Sequence, residues 1–212
     1  MNVRAPQALP EALQRLYKDL DFATTRRAGG ATAKLLRDSG YEPHVAFNAM
    51  NSKERMLFFD EANGRQVDVF VGEFRMCHAI PLEDRLGLHP DTVPLAELLL
   101  TKLQIIELNE KDIRDTVALF HCHDLTDDDT GVSAPRIADL CAADWGLCRT
   151  ITANLETVRS HVGRYEIENR DAVEQRIARL QERIEAAPKT RAWRLRAKVG
   201  ERKRWYELPE EV

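Results

Sequence analysis

The sequence predicts an α+β protein: a small mixed β-sheet with flanking helices over residues 1–90, followed by a helical region over residues 91–212. Three observations carry that prediction. The run KDLDFA (Lys18 to Ala23) alternates charged and apolar residues with period two, as a half-buried strand does. RMLFFD (Arg55 to Asp60) and RQVDVFV (Arg65 to Val71) are two further strand candidates joined across Asn63-Gly64, the dipeptide most strongly associated with tight hairpins. From Pro94 onward the apolar period becomes helical, with Leu95, Leu98, Leu99, Leu103 and Ile106 in one stripe and Ile113, Val117 and Phe120 beginning the next.

Between the first two strands, Arg27 to Ser39 is predicted helical. After Pro94 the helical region divides into residues 91–125 and an extension over residues 133–212. Helices are expected over Pro135 to Ala143, Trp145 to His161 and Asp171 to Ala187, with breaks at Asp124 to Ser133 and around Gly163 to Asn169. No internal repeat or low-complexity tract interrupts this order.

The 212 residues are 43% hydrophobic and 31% charged, enough apolar material for one compact domain or two smaller ones. No run of 18 apolar residues exists, and the N-terminus lacks a basic-then-apolar signal, so the expectation is a cytoplasmic protein with no membrane partner. Cys77, Cys122, Cys141 and Cys148 lack a disulfide-framework spacing and are expected as reduced thiols. A net charge of -4 argues against coating nucleic acid with the whole surface and leaves local basic patches open.

The chemistry begins at Asp19 and Asp21. Carboxylates at i and i+2 of a strand share one face and can co-ligate a hard divalent cation. Glu110/Asp112, Asp127/Asp129 and Glu166/Glu168 have the same spacing; what separates Asp19/Asp21 is context, since Leu20 and Phe22 alternate with them as in a strand with one buried face, whereas Asp127 to Asp129 belongs to a polar loop. A solvated strand face is the alternative. Asp68 sits amid Val67, Val69, Phe70 and Val71, where a lone carboxylate is expensive to bury without a partner or a cation. If its strand lies beside that of Asp21, three carboxylates converge at one magnesium site; otherwise Asp68 is an edge residue facing water. Lys102 and Glu97 are the only charges between Val93 and Ile106, so Lys102 belongs to a largely buried helix and needs an anion. A triphosphate supplies one; Glu97, Glu107 or a stem reaching to water are the alternatives.

KDLDFA, then RQVDVFVG, then PLAELLLTKLQIIELNEKDIRD resembles the nucleotidyltransferase superfamily of the DNA polymerase beta type, and within it the AbiEii-like toxin branch. The resemblance covers roughly residues 15 to 125. It implies a nucleotidyltransferase-like core in which Asp19, Asp21 and Asp68 are catalytic and hold Mg²⁺. It also implies that Lys102, Lys111, Asp112 and Asp115 bind the nucleotide, and that the chain moves a nucleoside monophosphate from an NTP to an acceptor hydroxyl, with release of pyrophosphate. A tRNA end as acceptor and an antitoxin as partner are further implications.

The family's glycine motif, which grips phosphate upstream of D-x-D, has no counterpart before Asp19. Gly29-Gly30-Ala31-Thr32 is similar to it but follows D-x-D, and is read as a loop. The departure implies a truncated or attenuated enzyme, or a catalytically inactive fold kept as a nucleotide-binding or protein-interaction module.

Two other features have chemical content. His121-Cys122-His123, with Cys141 and Cys148, offers zinc-ligand chemistry without zinc-finger spacing, and histidines at a helix end are equally explained by the helix dipole. Lys189 to Tyr206 carries eight basic residues against Glu201 alone, interleaved with Trp193, Trp205 and Tyr206. Such a segment can hold RNA phosphates and stack bases; an amphipathic helix packing its tryptophans inward uses the same letters.

Overall fold

Alternating apolar side chains make strand β1 at Leu20–Thr24, one residue beyond Asp19. The structure, a computed structural model, describes residues 9–208. Those residues adopt a mixed α+β fold, and the chain divides into two units: Arg15–Arg75 with Ala79–Val93, and Met1–Gln14 with Met76–His78 and Pro94–Val212.

In the first unit β1 leads into helix α1 (Gly29–Asp38), strand β2 (Glu42–Pro43), helix α2 (Val45–Asn51), and strands β3 (Arg55–Asp60) and β4 (Arg65–Val71). The sheet order is β1-β4-β3-β2, with β1 and β4 parallel and the other pairs antiparallel. Gly64, at φ 61, closes the β3–β4 hairpin in the left-handed region, which glycine adopts without steric cost. Register fixes which residues share a face. Leu20, Phe22 and Thr24 lie beside Val67, Val69 and Val71, whereas Asp21 lies beside Asp68.

The valine face packs with Leu36, Met56 and Phe58 into the core of this unit, covered by Ala33 of α1 and by Tyr41. Each such side chain contributes about 1.5–3 kcal/mol on burial. Gly29 to Thr32 form the first turn of α1 rather than the loop expected from the sequence. A Cβ on Gly29 would lie in ordinary contact with Val71, at 3.5 Å, so the helix starts against the sheet. Two short strands, β5 (Glu73–Arg75) and β6 (Ala79–Pro81), pair after Gly72. Gly72 has φ 76, where a larger residue is strained, and a Cβ there would displace the ends of the Arg26 and Glu83 side chains, 2.7 Å away.

The second unit is helical. It contains α3 (Leu95–Leu103), α4 (Glu110–Cys122), a two-stranded pair β7 (Leu125–Thr126) and β8 (Val132–Ser133), then α5 (Ala134–Ala143), α6 (Trp145–His161), α7 (Arg170–Ala186) and α8 (Arg191–Val199). Side-chain caps set several starts: Asn109 accepts from Lys111 N and Asp112 N, Asp144 from Leu147 N, and Thr190 from Trp193 N. Leu99, Leu103, Val117, Phe120, Ile137, Ile151, Leu155, Ile177 and Leu180 are buried in its core. No helix among the described residues is long and apolar enough to cross a membrane.

Candidate functional site

The parallel ladder between β1 and β4 brings two of the sequence-derived carboxylates together. Asp21 and Asp68 are register partners, so their side chains leave the same face of adjacent strands. Asp21 is exposed and Asp68 only 4% so. Asp19 is also exposed and lies just outside the strand, because the ladder starts at the first apolar pair, Leu20 with Val67.

The burial of Asp68 has a local explanation within the sheet. Arg55 of β3 donates from Nε to Asp68 Oδ1 at 2.7 Å, its Nη2 lies at the same distance from that oxygen, and Gln66 Nε2 donates to Oδ2 at 2.9 Å. The Arg55 guanidinium in turn stands 5.7 Å from the Phe47 ring and 5.5 Å from the Phe70 ring. This fork is the partner that sequence reading of Asp68 left open. An arginine on the neighbouring strand was the signal that could have found it, but its register became known only with the hairpin.

The donor chemistry bears on magnesium. A carboxylate oxygen has two acceptor positions, so Gln66 leaves one on Asp68 Oδ2 while Arg55 occupies Oδ1 from two nitrogens. Magnesium is commonly held by one or two carboxylates together with substrate phosphates and waters, rather than by an all-protein cage. Among the described residues no group of three or more His, Cys, Asp or Glu side chains stands close enough to hold a metal ion. Asp21 and Asp68 therefore fit a magnesium that arrives with a triphosphate, and do not make a preformed metal centre. The same finding covers His121, Cys122, His123, Cys141 and Cys148 as candidate zinc ligands.

The other predicted nucleotide contacts lie in the helical unit. Lys102 Nζ is 3.1 Å from Asp115 Oδ2 and 3.4 Å from Asp112 Oδ1. The anions that Lys102 requires are thus the two carboxylates of α4, and neither Glu97 nor Glu107. Glu97, fully buried, pairs instead with Arg136 at 2.8 Å. Lys111 is exposed in the first turn of α4.

On the valine side of the sheet, across from Asp21 and Asp68, a cavity of about 690 Å³ is lined by Arg26, Gly30, Arg37, Lys53, Met56 and Phe58 among others. Sequence reading gave no hint of it, since it depends on how α1 and α2 flank the sheet. Arg26 is tied down by Glu73 at 3.5 Å and Glu83 at 3.7 Å.

The basic tail uses its aromatic residues internally. Trp205 Nε1 donates to Thr150 Oγ1 at 3.1 Å and its ring meets Trp145 edge-on at 5.9 Å, while Arg196 lies 4.7 Å over Trp145. Arg191, Arg194 and Lys198 are exposed, and their side chains make no ion pair among the described residues. A scan of protein-family models, a search of curated proteins and a search of solved structures each return no match to this chain.

Proposed function

We propose that the chain is a Mg²⁺-dependent nucleotidyltransferase that moves a nucleoside monophosphate from an NTP to an acceptor hydroxyl. The observation that carries this reading is the parallel β1–β4 ladder, which sets Asp21 beside Asp68 on one sheet face. In the proposed reaction the acceptor oxygen attacks the α-phosphorus, its proton is lost, and the bond to pyrophosphate breaks. Magnesium, when bound, neutralises phosphate charge in such transfers. Asp19 and Asp21 would hold it from the exposed side, and Asp68, kept in place by Arg55 and Gln66, would orient the acceptor through the remaining position on Oδ2. Lys102, Asp112 and Asp115 already satisfy one another, so the proposal rests on the sheet and gives them and Lys111 no required role.

An RNA acceptor is proposed on the strength of the exposed cations Arg191, Arg194 and Lys198. A second reading, a non-catalytic nucleotide-binding or interaction module, is favoured by one observation: Arg55 occupies Asp68 Oδ1 from two nitrogens.

Calorimetry with each NTP, with and without Mg²⁺, tests the proposal. Binding should require Mg²⁺ and be lost in Asp21→Asn, with circular dichroism checking that the variant is folded. Equal affinity in the wild type, in Asp21→Asn and in the presence of EDTA would sink the nucleotidyltransferase reading. Mg²⁺-dependent binding without pyrophosphate release in the presence of total RNA would select the non-catalytic module.

A further inference from the structure

Alternation in β3 puts Met56 and Phe58 on the valine face of the sheet, and Val71 of β4 shares that face. These three side chains are core residues, and they also line the cavity of about 690 Å³ beside α1. The cavity therefore has an apolar floor. Its volume falls within the range of small-molecule sites, about 300–1,000 Å³. Room above the floor comes from the start of α1, where a Cβ on Gly30 would meet nothing within 4 Å.

The walls differ from the floor in chemistry. On the α2 side, Asn48 is spent on the edge of β3: it donates to Leu57 O at 2.9 Å and accepts from Leu57 N at 2.7 Å, which fixes that wall in place. Arg37, in the last turn of α1, and Lys53, in the turn between α2 and β3, are exposed. Neither side chain makes an ion pair or a hydrogen bond among the described residues. Arg26 also lines the cavity, but Glu73 and Glu83 match it. Glu54 is the one carboxylate in the lining, so two cations without partners stand against a single anion. Small-molecule sites combine these same parts, an apolar surface that supplies contact and a few charged or polar groups that fix orientation.

We propose that this cavity binds a small organic anion, with its apolar body on Met56, Phe58 and Val71 and its negative group held by Arg37 and Lys53. Inorganic phosphate would leave the floor unused, and an uncharged lipid would leave the cations unused. One negative group on an apolar body uses both. The cavity lies on the opposite sheet face from Asp21 and Asp68, so the inference stands whether or not those carboxylates act on an NTP.

Anilinonaphthalene sulfonate, an organic anion with an aromatic body, is the probe, followed by its fluorescence with the full chain at pH 7 and without Mg²⁺. Binding should saturate at one probe per chain. Sodium octanoate should displace the probe at a concentration about threefold or more below that of octanol, because only the carboxylate meets the cations. Arg37→Gln and Lys53→Gln should each weaken probe binding by about two- to fivefold, as expected for partly exposed ion pairs, and Glu54→Gln should tighten it. Gly30→Leu, which fills the cavity from the first turn of α1, should abolish binding. All four positions are exposed, and circular dichroism checks that each variant is folded. Displacement by octanol and octanoate at equal concentration, or wild-type binding in Gly30→Leu, would overturn the proposal. So would affinities that ignore the sign of the charge removed. The octanoate comparison uses the wild-type chain and requires no variant to fold.

Discussion

His78 shows how a single buried side chain ties stability to pH. Its Nε2 lies 2.8 Å from Thr150 Oγ1, which also accepts from Trp205 Nε1, and its backbone N–H donates to Gln104 Oε1 at 2.7 Å. Burial lowers its pKa, and the charges of Asp144 and Glu207 offset this only in part. In the unfolded chain His78 takes up a proton as pH falls through about 6.5, while in the folded chain it resists protonation until lower pH. The unfolded state therefore binds more protons in that window, and stability is lost as pH falls below about 6.5, by at most about 1.4 kcal/mol per pH unit for one group. Urea unfolding at steps from pH 7.5 to 5 should show the decline, and His78→Gln should flatten it. An unchanged slope in that variant would assign the decline to other groups. Asp68 is a contrasting case at the same scale, because its burial comes with a cation, Arg55, as direct partner.

At the scale of elements, α3 and α4 are joined by charge as well as by apolar packing. Lys102 near the end of α3 meets Asp112 and Asp115 of α4, and Asp115 is only 1% exposed. Removing one partner of a buried pair leaves an uncompensated charge, which costs about 3–5 kcal/mol in fully buried cases; Lys102 is partly exposed, so the lower end applies. Lys102→Met is expected to lower unfolding free energy by about 3 kcal/mol in chemical denaturation, with NTP affinity unchanged. A variant of wild-type stability and weakened NTP binding would instead make Lys102 a phosphate contact, as the family resemblance implies.

For the molecule as a whole, charge is unevenly distributed. The chain carries a net -4, yet Lys189 to Tyr206 carries +7. Trp205 packs against Trp145 of α6 and Tyr206 against Trp205, so affinity for RNA is expected from the exposed cations and not from stacking on these two rings. Such binding should fall steeply with salt, with a slope of about 0.7 for each phosphate neutralised on a single strand. Replacing Arg191, Arg194 and Lys198 by Glu should lower the slope of tRNA binding by about 2 or more, measured by filter binding across a salt series. An unaltered slope would place the RNA contacts elsewhere, and no binding at low salt would remove RNA as the acceptor.

Period and punctuation alone determined much of this protein. Strands at Arg55–Asp60 and Arg65–Val71 and the helix at Trp145–His161 follow from alternation, Asn63-Gly64 and a capping Asp144, all of which act between residues close in the chain. The same local logic missed α2, β2 and the short strands β5 to β8, which are too brief to show a period. Tertiary structure decided what no local signal carries: that β1 joins β4 in parallel with Asp21 beside Asp68, that Arg55 serves Asp68, and that Lys102 finds Asp112 and Asp115. The physical reason is that a carboxylate in sequence records only the cost of its charge. Which cation offsets that cost depends on strand register and helix packing, set by apolar contacts among residues far apart in the chain.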